Sequence, residues 1–372
     1  MRVVFDVSYI QRRRAGIGRY STELLQAILD ADSQIEYLLF GWSFSLDTSK
    51  ITSLARPTAN VRIAQIPGAV RRYYWSRMTW PPVRAIVGRY DIFHSADPLL
   101  PPLGDGRGII TVYDLAYRRF PRMFEHYVLK LDRYIRPTLR RASAIIVPSE
   151  FTRMDLLNLE PIDEGSVHVI HPPVMSRARG DTAADREVLG RFGLHAPFIL
   201  SVGTIEPRKN HANLLRAFEI VGAKEPDLHF VLAGKLGWHY TEVLETIKRS
   251  PLAARIHHLE YVSDRELDAL YRSALCVVYP SLYEGVGLPV LEAMAAGTPV
   301  VTSDSSAMKE VGEGAALLVN PGDPEDIGTG IMSVIQDGEL ARDLSRRGKE
   351  RASQFSAPAA AKKVIDLYRS LS

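Results

Sequence analysis

The feature that most constrains this chain is a pattern that runs through it twice: short apolar runs alternate with stretches whose apolar residues recur at helical spacing. Val3–Val7 is followed by a helical pattern near Gly18–Leu29, then by the strand-like runs Tyr37–Phe40, Ile92–Phe93, Ile109–Val112 and Ala144–Val147. Strands separated by helices form a parallel sheet, because a parallel connection must cross back over the sheet and a helix usually makes the crossing. After His171-Pro-Pro-Val174 the pattern restarts with Phe198–Val202, a helix near Ala212–Val221, His229–Ala233, a helix near Tyr240–Ile247, Ile256–Leu259, Leu275–Tyr279 and Val300–Thr302. The expected class is α/β, with two parallel-sheet domains, residues 1–172 and 173–355, facing each other across a cleft and joined by the stiff Pro172-Pro173 pair. A last helical pattern, Ala357–Leu371 within residues 356–372, either closes the second domain or crosses back to the first.

A length of 372 residues suits two cores, and 46% hydrophobic with 24% charged residues is the composition of a folded protein. Cys276 is the single cysteine and sits in the apolar run Ala274–Tyr279, so an internal disulfide is excluded and a reducing compartment is expected. Arg2–Val7 opens as a strand without the apolar core of a leader, and no apolar run approaches membrane-spanning length. The expected location is cytoplasmic. The net charge of +3 is uneven: residues 1–175 carry 23 Lys and Arg against 17 Asp and Glu, the remainder 23 against 26. A basic first half fits either an anionic partner, such as the inner membrane face or a lipid phosphate, or an ordinary solvated surface.

The most informative stretch is Tyr279-Pro-Ser-Leu-Tyr-Glu-Gly-Val-Gly-Leu-Pro-Val-Leu-Glu-Ala-Met-Ala-Ala-Gly-Thr-Pro-Val300, which reads as strand, glycine loop, helix, strand. Pro289 suits a first helical turn and Gly297 a helix end. Gly285 and Gly287 leave backbone room before that start, so exposed amides at Val286 and Leu288 and the positive helix end can receive a phosphate. Glu284 lies at the loop entrance and Glu292 within the helix; carboxylates accept bidentate hydrogen bonds from diols, one serving a sugar and the other a ribose. The structural alternative is a backbone cap for Glu284 and a solvated helix position for Glu292.

A second site follows the first strand of the second domain, at Val202-Gly-Thr-Ile-Glu-Pro-Arg-Lys-Asn210. Ligands bind at such strand ends. Gly203 lets the chain come close, while Arg208 and Lys209 offer two fixed positive charges to a diphosphate leaving group without a metal. In the first domain Gly16 and Gly18 form an incomplete glycine fingerprint behind Arg12, Arg13 and Arg14, serving either as a loop that approaches a ligand or as a plain helix start. Asp114 and His94 both stand at strand ends, where each orients or deprotonates a hydroxyl or is a satisfied structural group. The run Arg71–Trp80 mixes cations with aromatics, as at a membrane interface or as core aromatics beside solvated arginines. Asp30 and Asp32 resemble a metal pair but fall at a helix end and read as surface.

With these residues the chain resembles glycosyltransferase family 4, the retaining enzymes of the two-Rossmann-domain GT-B fold, over essentially its full length. The Glu-x7-Glu motif is met by Glu284 and Glu292, and Arg208-Lys209-Asn210 matches the diphosphate segment. The resemblance implies Glu284 at the donor sugar, Glu292 on the ribose, and base contacts through backbone near Tyr261 and Val262. Residues 1–172 then form the acceptor side and 173–355 the nucleotide-sugar side. Gly16-Ile-Gly-Arg-Tyr20, Asp114-Leu-Ala-Tyr-Arg-Arg-Phe-Pro121 and Ser149-Glu-Phe-Thr-Arg153 look most like bacterial polysaccharide mannosyltransferases, implying GDP-mannose as donor, no metal or other cofactor, a saccharide or lipid-linked acceptor and no nucleic acid. Family members act by front-face substitution, with no protein nucleophile. Tyr113 stands where many relatives have His, and Val286 where Phe is common. Rival readings are transfer from a UDP- or dTDP-sugar, a nucleotide-sugar epimerase, a dehydrogenase, which the incomplete glycine fingerprint disfavours, and an inactive transferase-like scaffold.

Overall fold

The computed structural model describes residues 1–10, 16–42, 46–64, 70, 73–75, 78, 80–174, 182–195 and 197–372. They form two compact units, Met1–Pro173 with Phe355–Ser372, and Val174–Gln354.

In the first unit the strands are β1 (Arg2–Asp6), β2 (Glu36–Trp42), β3 (Ala59–Ala64), β4 (Ile92–Ser95), β5 (Arg107–Thr111), β6 (Ala144–Val147) and β7 (Val167–Val169). Their spatial order is β3-β2-β1-β4-β5-β6-β7, and every neighbour is parallel. The chain runs outward from β1 through β2 and β3, then returns to pair β4 with the other side of β1, which makes β1/β4 a topological switch point. Central strands covered by helices on both faces are apolar throughout: Val3, Val4, Phe5, Ile92, Phe93, Ile109 and Ile110 are at most 1% exposed.

The helix Ala357–Leu371 belongs to this first unit. Its Ala360, Ala361, Val364, Ile365, Leu367 and Tyr368 are buried, a spacing of three and four that forms one apolar stripe. Two polar contacts fix it: the Tyr368 hydroxyl lies 2.6 Å from His94 Nδ1, and Arg369 donates to Asp32 at 2.8 Å. Asp32 is therefore not surface. It is 7% exposed, accepts the amides of Gln34 and Ile35, and anchors the last helix. Phe355, read from the sequence as the end of the second domain, already packs with the first, its ring 4.9 Å from His171.

The second unit is built on β8 (Phe198–Val202), β9 (His229–Ala233), β10 (Ile256–Leu259), β11 (Cys276–Tyr279), β12 (Val300–Ser303) and β13 (Leu317–Val319). The order is β10-β9-β8-β11-β12-β13, again all parallel. The switch point here lies between β8 and β11. The loops that leave those two strands at their carboxyl ends are neighbours in space although about 75 residues apart in sequence. Ile199, Leu214, Phe218, Phe230, Val278 and Val301 form the core beneath them, with Cys276 among them, its thiol pushed up to about 12 by burial.

Candidate active site

Beyond β8 the backbone at Gly203 has φ 146°, a region that favours glycine, and a side chain at Gly234 would overlap the Gly203 carbonyl oxygen. The two glycines let the ends of β8 and β9 close on each other. Glu206 then leads into a single tight turn, Pro207–Lys209, which ends at Asn210 in the left-handed conformation, φ 62°. The Asn210 side-chain amide donates to the carbonyls of Pro280 at 2.9 Å and Pro321 at 2.6 Å. From the other side, the Leu282 amide donates to the Arg208 carbonyl at 2.8 Å, and the Ser281 hydroxyl oxygen lies 2.9 Å from the same carbonyl. The two loops are thus stitched together through backbone groups, which fixes where Arg208, Lys209 and Glu284 can point.

Those three side chains meet. Arg208 Nη1 lies 2.6 Å from Glu284 Oε2 and Lys209 Nζ 2.5 Å from Glu284 Oε1, while Arg208 Nε pairs with Glu206 Oε1 at 2.6 Å. Ser281 donates to Glu284 Oε1 at 2.8 Å and Tyr279 at 3.0 Å, and the Lys209 ammonium also donates to the Tyr279 hydroxyl. The side chains of Glu206 and Glu284 are 4% and 8% exposed. Burial pushes the Glu284 carboxyl up, but the Arg208 and Lys209 cations outweigh it and hold the group down at about 2. Burial and the neighbouring Arg208 pull the Lys209 ammonium down, opposed by the two glutamates. Two cations and two carboxylates balance in a water-poor loop, so Glu284 does not simply cap a backbone.

The helix Leu288–Ala296 follows, capped by Gly287 at φ 74° and Gly297 at φ 82°, both left-handed, with Pro289 in its first turn. Gly287 is buried against the Met308 thioether, which a side chain there would overlap. Gly285 is buried, and Val286 and Leu288 are half-buried. Among the described residues the amides of Val286 and Gly287 meet no protein acceptor, so this turn offers donors beside the paired cations. Glu292 is 9% exposed and accepts the Tyr271 hydroxyl at 2.9 Å. It is not a solvated helix residue. Tyr261 is 77% exposed and Val262 half-buried, on the segment between β10 and the helix Asp264–Ser273. That helix begins with a capping box between Ser263 and Glu266.

Asp114, His94, Gly16 and Gly18 lie in the first unit. Asp114 is half-buried and accepts the Ala116 amide at 3.0 Å, which starts the short helix Ala116–Arg119. His94 has no accessible surface; its ring packs on Phe5 and Tyr368, and burial pulls it down to about 3. The burial speaks against the catalytic reading of His94 and for the structural one: the ring is a neutral core group that contacts the last helix through Tyr368. Gly16 opens the helix Gly16–Ala31, and a Cβ on Gly18 would stand 2.8 Å from the Tyr9 carbonyl oxygen. Gly18 therefore serves a helix start packed on backbone. Tyr113 bonds to the Ser21 hydroxyl at 2.9 Å and donates to the Ala96 carbonyl at 2.8 Å. Arg12, Arg13, Arg14, Arg71, Arg72 and Arg77 lie outside the described residues.

Sequence reading passed over Glu206, Tyr279 and Ser281 as site residues. Glu206 was the most accessible of the three: an acid two positions before Arg208, in a strand-end loop, is placed to take its charge.

A switch-point loop carrying a charge-balanced Arg-Lys-Glu cluster lies beside a glycine turn with spare amides, at the carboxyl ends of the central strands, where sheets of this kind offer sites to anionic ligands. Two family models cover nearly all of the chain, Glycosyltransferase Family 4 over residues 14–176 and Glycosyl transferases group 1 over residues 189–351. The chain belongs to this glycosyltransferase family. Over its whole length it is 29% identical to the O-antigen chain mannosyltransferase B of Escherichia coli, the match covering 100% of both chains. It is 34% identical over 137 residues to the serotype-specific mannosyltransferase WbdA of Escherichia coli, covering 37% of this chain and 17% of that longer one. The fold matches the sucrose-phosphate synthase of Thermosynechococcus elongatus, with TM-score 0.79, 20% identity and coverage of 100% and 99%. It also matches Anabaena HepE, with TM-score 0.75, 16% identity and full coverage of both chains. The fold is GT-B.

Proposed function

We propose that this chain is a retaining mannosyltransferase that moves mannose from GDP-mannose to a saccharide or lipid-linked saccharide in polysaccharide synthesis, as a peripheral protein at the cytoplasmic membrane face. The observation that carries this reading is the Glu284 clamp on Arg208 and Lys209, in a chain that aligns end to end with a mannosyltransferase of O-antigen assembly.

In this reading the two cations hold the donor's diphosphate. An arriving diphosphate competes with Glu284 for Arg208 and Lys209, and the amides at Val286 and Gly287 supply further donors to it. The freed carboxylate turns to the hydroxyls of the sugar, and Glu292 takes the ribose. As the bond from the anomeric carbon to phosphate breaks, negative charge grows on the leaving oxygen, where fixed cations stabilise it without a metal. The acceptor hydroxyl attacks from the same face, its proton passes to the departing phosphate oxygen, and the anomeric configuration is kept. No residue needs to be a nucleophile.

A direct test incubates the purified protein, without added metal, with GDP-mannose, UDP-glucose and dTDP-rhamnose in turn and an oligomannoside acceptor. Chain extension by GDP-mannose is expected. Extension from another nucleotide sugar alone overturns the donor, and conversion of the donor to an epimer without acceptor overturns transfer.

A further inference from the structure

At the amino-terminal ends of β1, β4 and β5, away from the strand ends that carry Asp114, the first unit has a cavity of about 580 Å³. Arg2, Arg84, Arg89 and Arg107 line it together with the acidic Asp91 and Asp105, the side chains of Tyr90 and Leu103, and the last residues Leu371 and Ser372. Arg84 pairs with Asp105, and Arg2 with Glu36 at 3.3 Å, while Asp91 is bonded to the Arg2 amide at 2.7 Å. Arg89 and Arg107 are exposed and, among the described residues, have no acidic partner. Two guanidiniums without an acidic partner in one cavity offer donors of the kind that phosphoryl oxygens accept.

The rim supplies the second observation. Val83 donates its amide to the Pro102 carbonyl at 2.7 Å, and a Cβ on Gly104 would stand 3.3 Å from Pro82, so the segment Trp80–Arg84 abuts the loop Leu103–Asp105. Two residues before Pro82 the Trp80 indole is 73% exposed, and Met78 is 40% exposed. A soluble anion has no use for a solvent-facing indole and thioether. A lipid surface does: cations meet the phosphates while amphipathic aromatics sit at the headgroup level.

We propose that this end of the first unit docks on an anionic phospholipid membrane, with lipid phosphate in the Arg89–Arg107 cavity and Trp80 and Met78 at the headgroup level. The inference deepens the peripheral location proposed above by naming the surface. It leaves the opposite strand ends open to a growing glycan.

The test is sedimentation of the full-length protein with phosphatidylglycerol-rich vesicles against phosphatidylcholine vesicles, without donor or acceptor. Failure here leaves the transfer reading standing, and failure of transfer leaves this result standing. Binding to the anionic vesicles alone is expected. Each arginine near an anionic surface is worth about 1 kcal/mol, about fivefold, so Arg89→Ala with Arg107→Ala should weaken partitioning about thirtyfold. Transfer to a soluble acceptor should not change, which also shows that the double variant is folded. Tryptophan fluorescence quenched by brominated lipid, and lost in Trp80→Phe, places the indole in the bilayer interface. Equal binding to both vesicle types, an unaltered partition of the double variant, or release by millimolar inorganic phosphate at constant ionic strength each overturns the proposal, the last because it marks a site for free phosphate.

Discussion

Replacing Glu284 by Gln separates a structural role from a chemical one. Its carboxylate neutralises Arg208 and Lys209 at 2.6 and 2.5 Å, and Glu206 compensates one of those cations only. Glu284→Gln leaves a net buried positive charge. The carboxyl is held at about 2 against an ordinary 4.5, which corresponds to about 3 kcal/mol of folding free energy. Loss of one partner of a buried pair typically costs about 3 to 5 kcal/mol, in agreement. For a domain of this size that lowers the midpoint of thermal unfolding by about 10 °C. The group is depressed, so its contribution is full above about 4.5 and disappears as the pH falls towards about 2; the variant should lose that part of the acid dependence. A nucleoside diphosphate supplies the missing negative charge. If half of the freed attraction reaches the ligand, GDP binds the variant about tenfold more tightly while transfer is lost. Differential scanning calorimetry and titration calorimetry with GDP read both effects. A variant that melts with the parent and binds GDP more weakly refutes the reasoning, because Glu284 then does not compete with phosphate for the cations.

Lys209→Ala should weaken GDP binding by about tenfold or more in titration calorimetry and reduce transfer, since the diphosphate loses a buried charge-assisted bond. Gly234→Ala drives a methyl into the Gly203 carbonyl, so either the chain fails to fold or the Arg208 loop shifts and GDP binding falls with it; a variant that binds and melts normally would contradict the close approach. Tyr368→Phe leaves His94 Nδ1 without its partner and should cost about 1 to 3 kcal/mol in urea unfolding with no change in transfer per folded molecule. The His94 ring, held neutral down to about 3, contributes stability above its ordinary 6.5 that falls away as the solution is acidified towards 3; His94→Gln should flatten that part of the stability profile.

The strands the sequence does not announce are β3, β7 and β13, and all three are sheet edges. An edge strand is paired on one side and half covered, so Ala59-Asn-Val-Arg-Ile-Ala64 mixes polar with apolar residues, while β7 and β13 are only three residues long. The central strands, buried on both faces, read as continuous apolar runs and are legible. In the site, the glycine turn, the helix start at Leu288 and the basic pair at Arg208 and Lys209 are local patterns and are likewise legible. That Glu284 closes on that basic pair is not, because it depends on β8 lying beside β11 in the sheet, and sheet order is not written in either segment. His94 shows the converse error. A histidine near the end of a strand looks available to substrate, yet β4 is covered on both faces, and the partner that explains the ring, Tyr368, lies 274 residues further on.

Sugar transfer with retention from GDP-mannose is tested most directly by nuclear magnetic resonance of the product formed from GDP-α-mannose and a reducing-end-tagged oligomannoside. One new α-mannosidic anomeric signal is expected, with none from Glu284→Gln and no dependence on added metal. A β-linked product contradicts front-face substitution, and an unchanged acceptor with intact donor contradicts the function proposed for the Arg208–Lys209–Glu284 site.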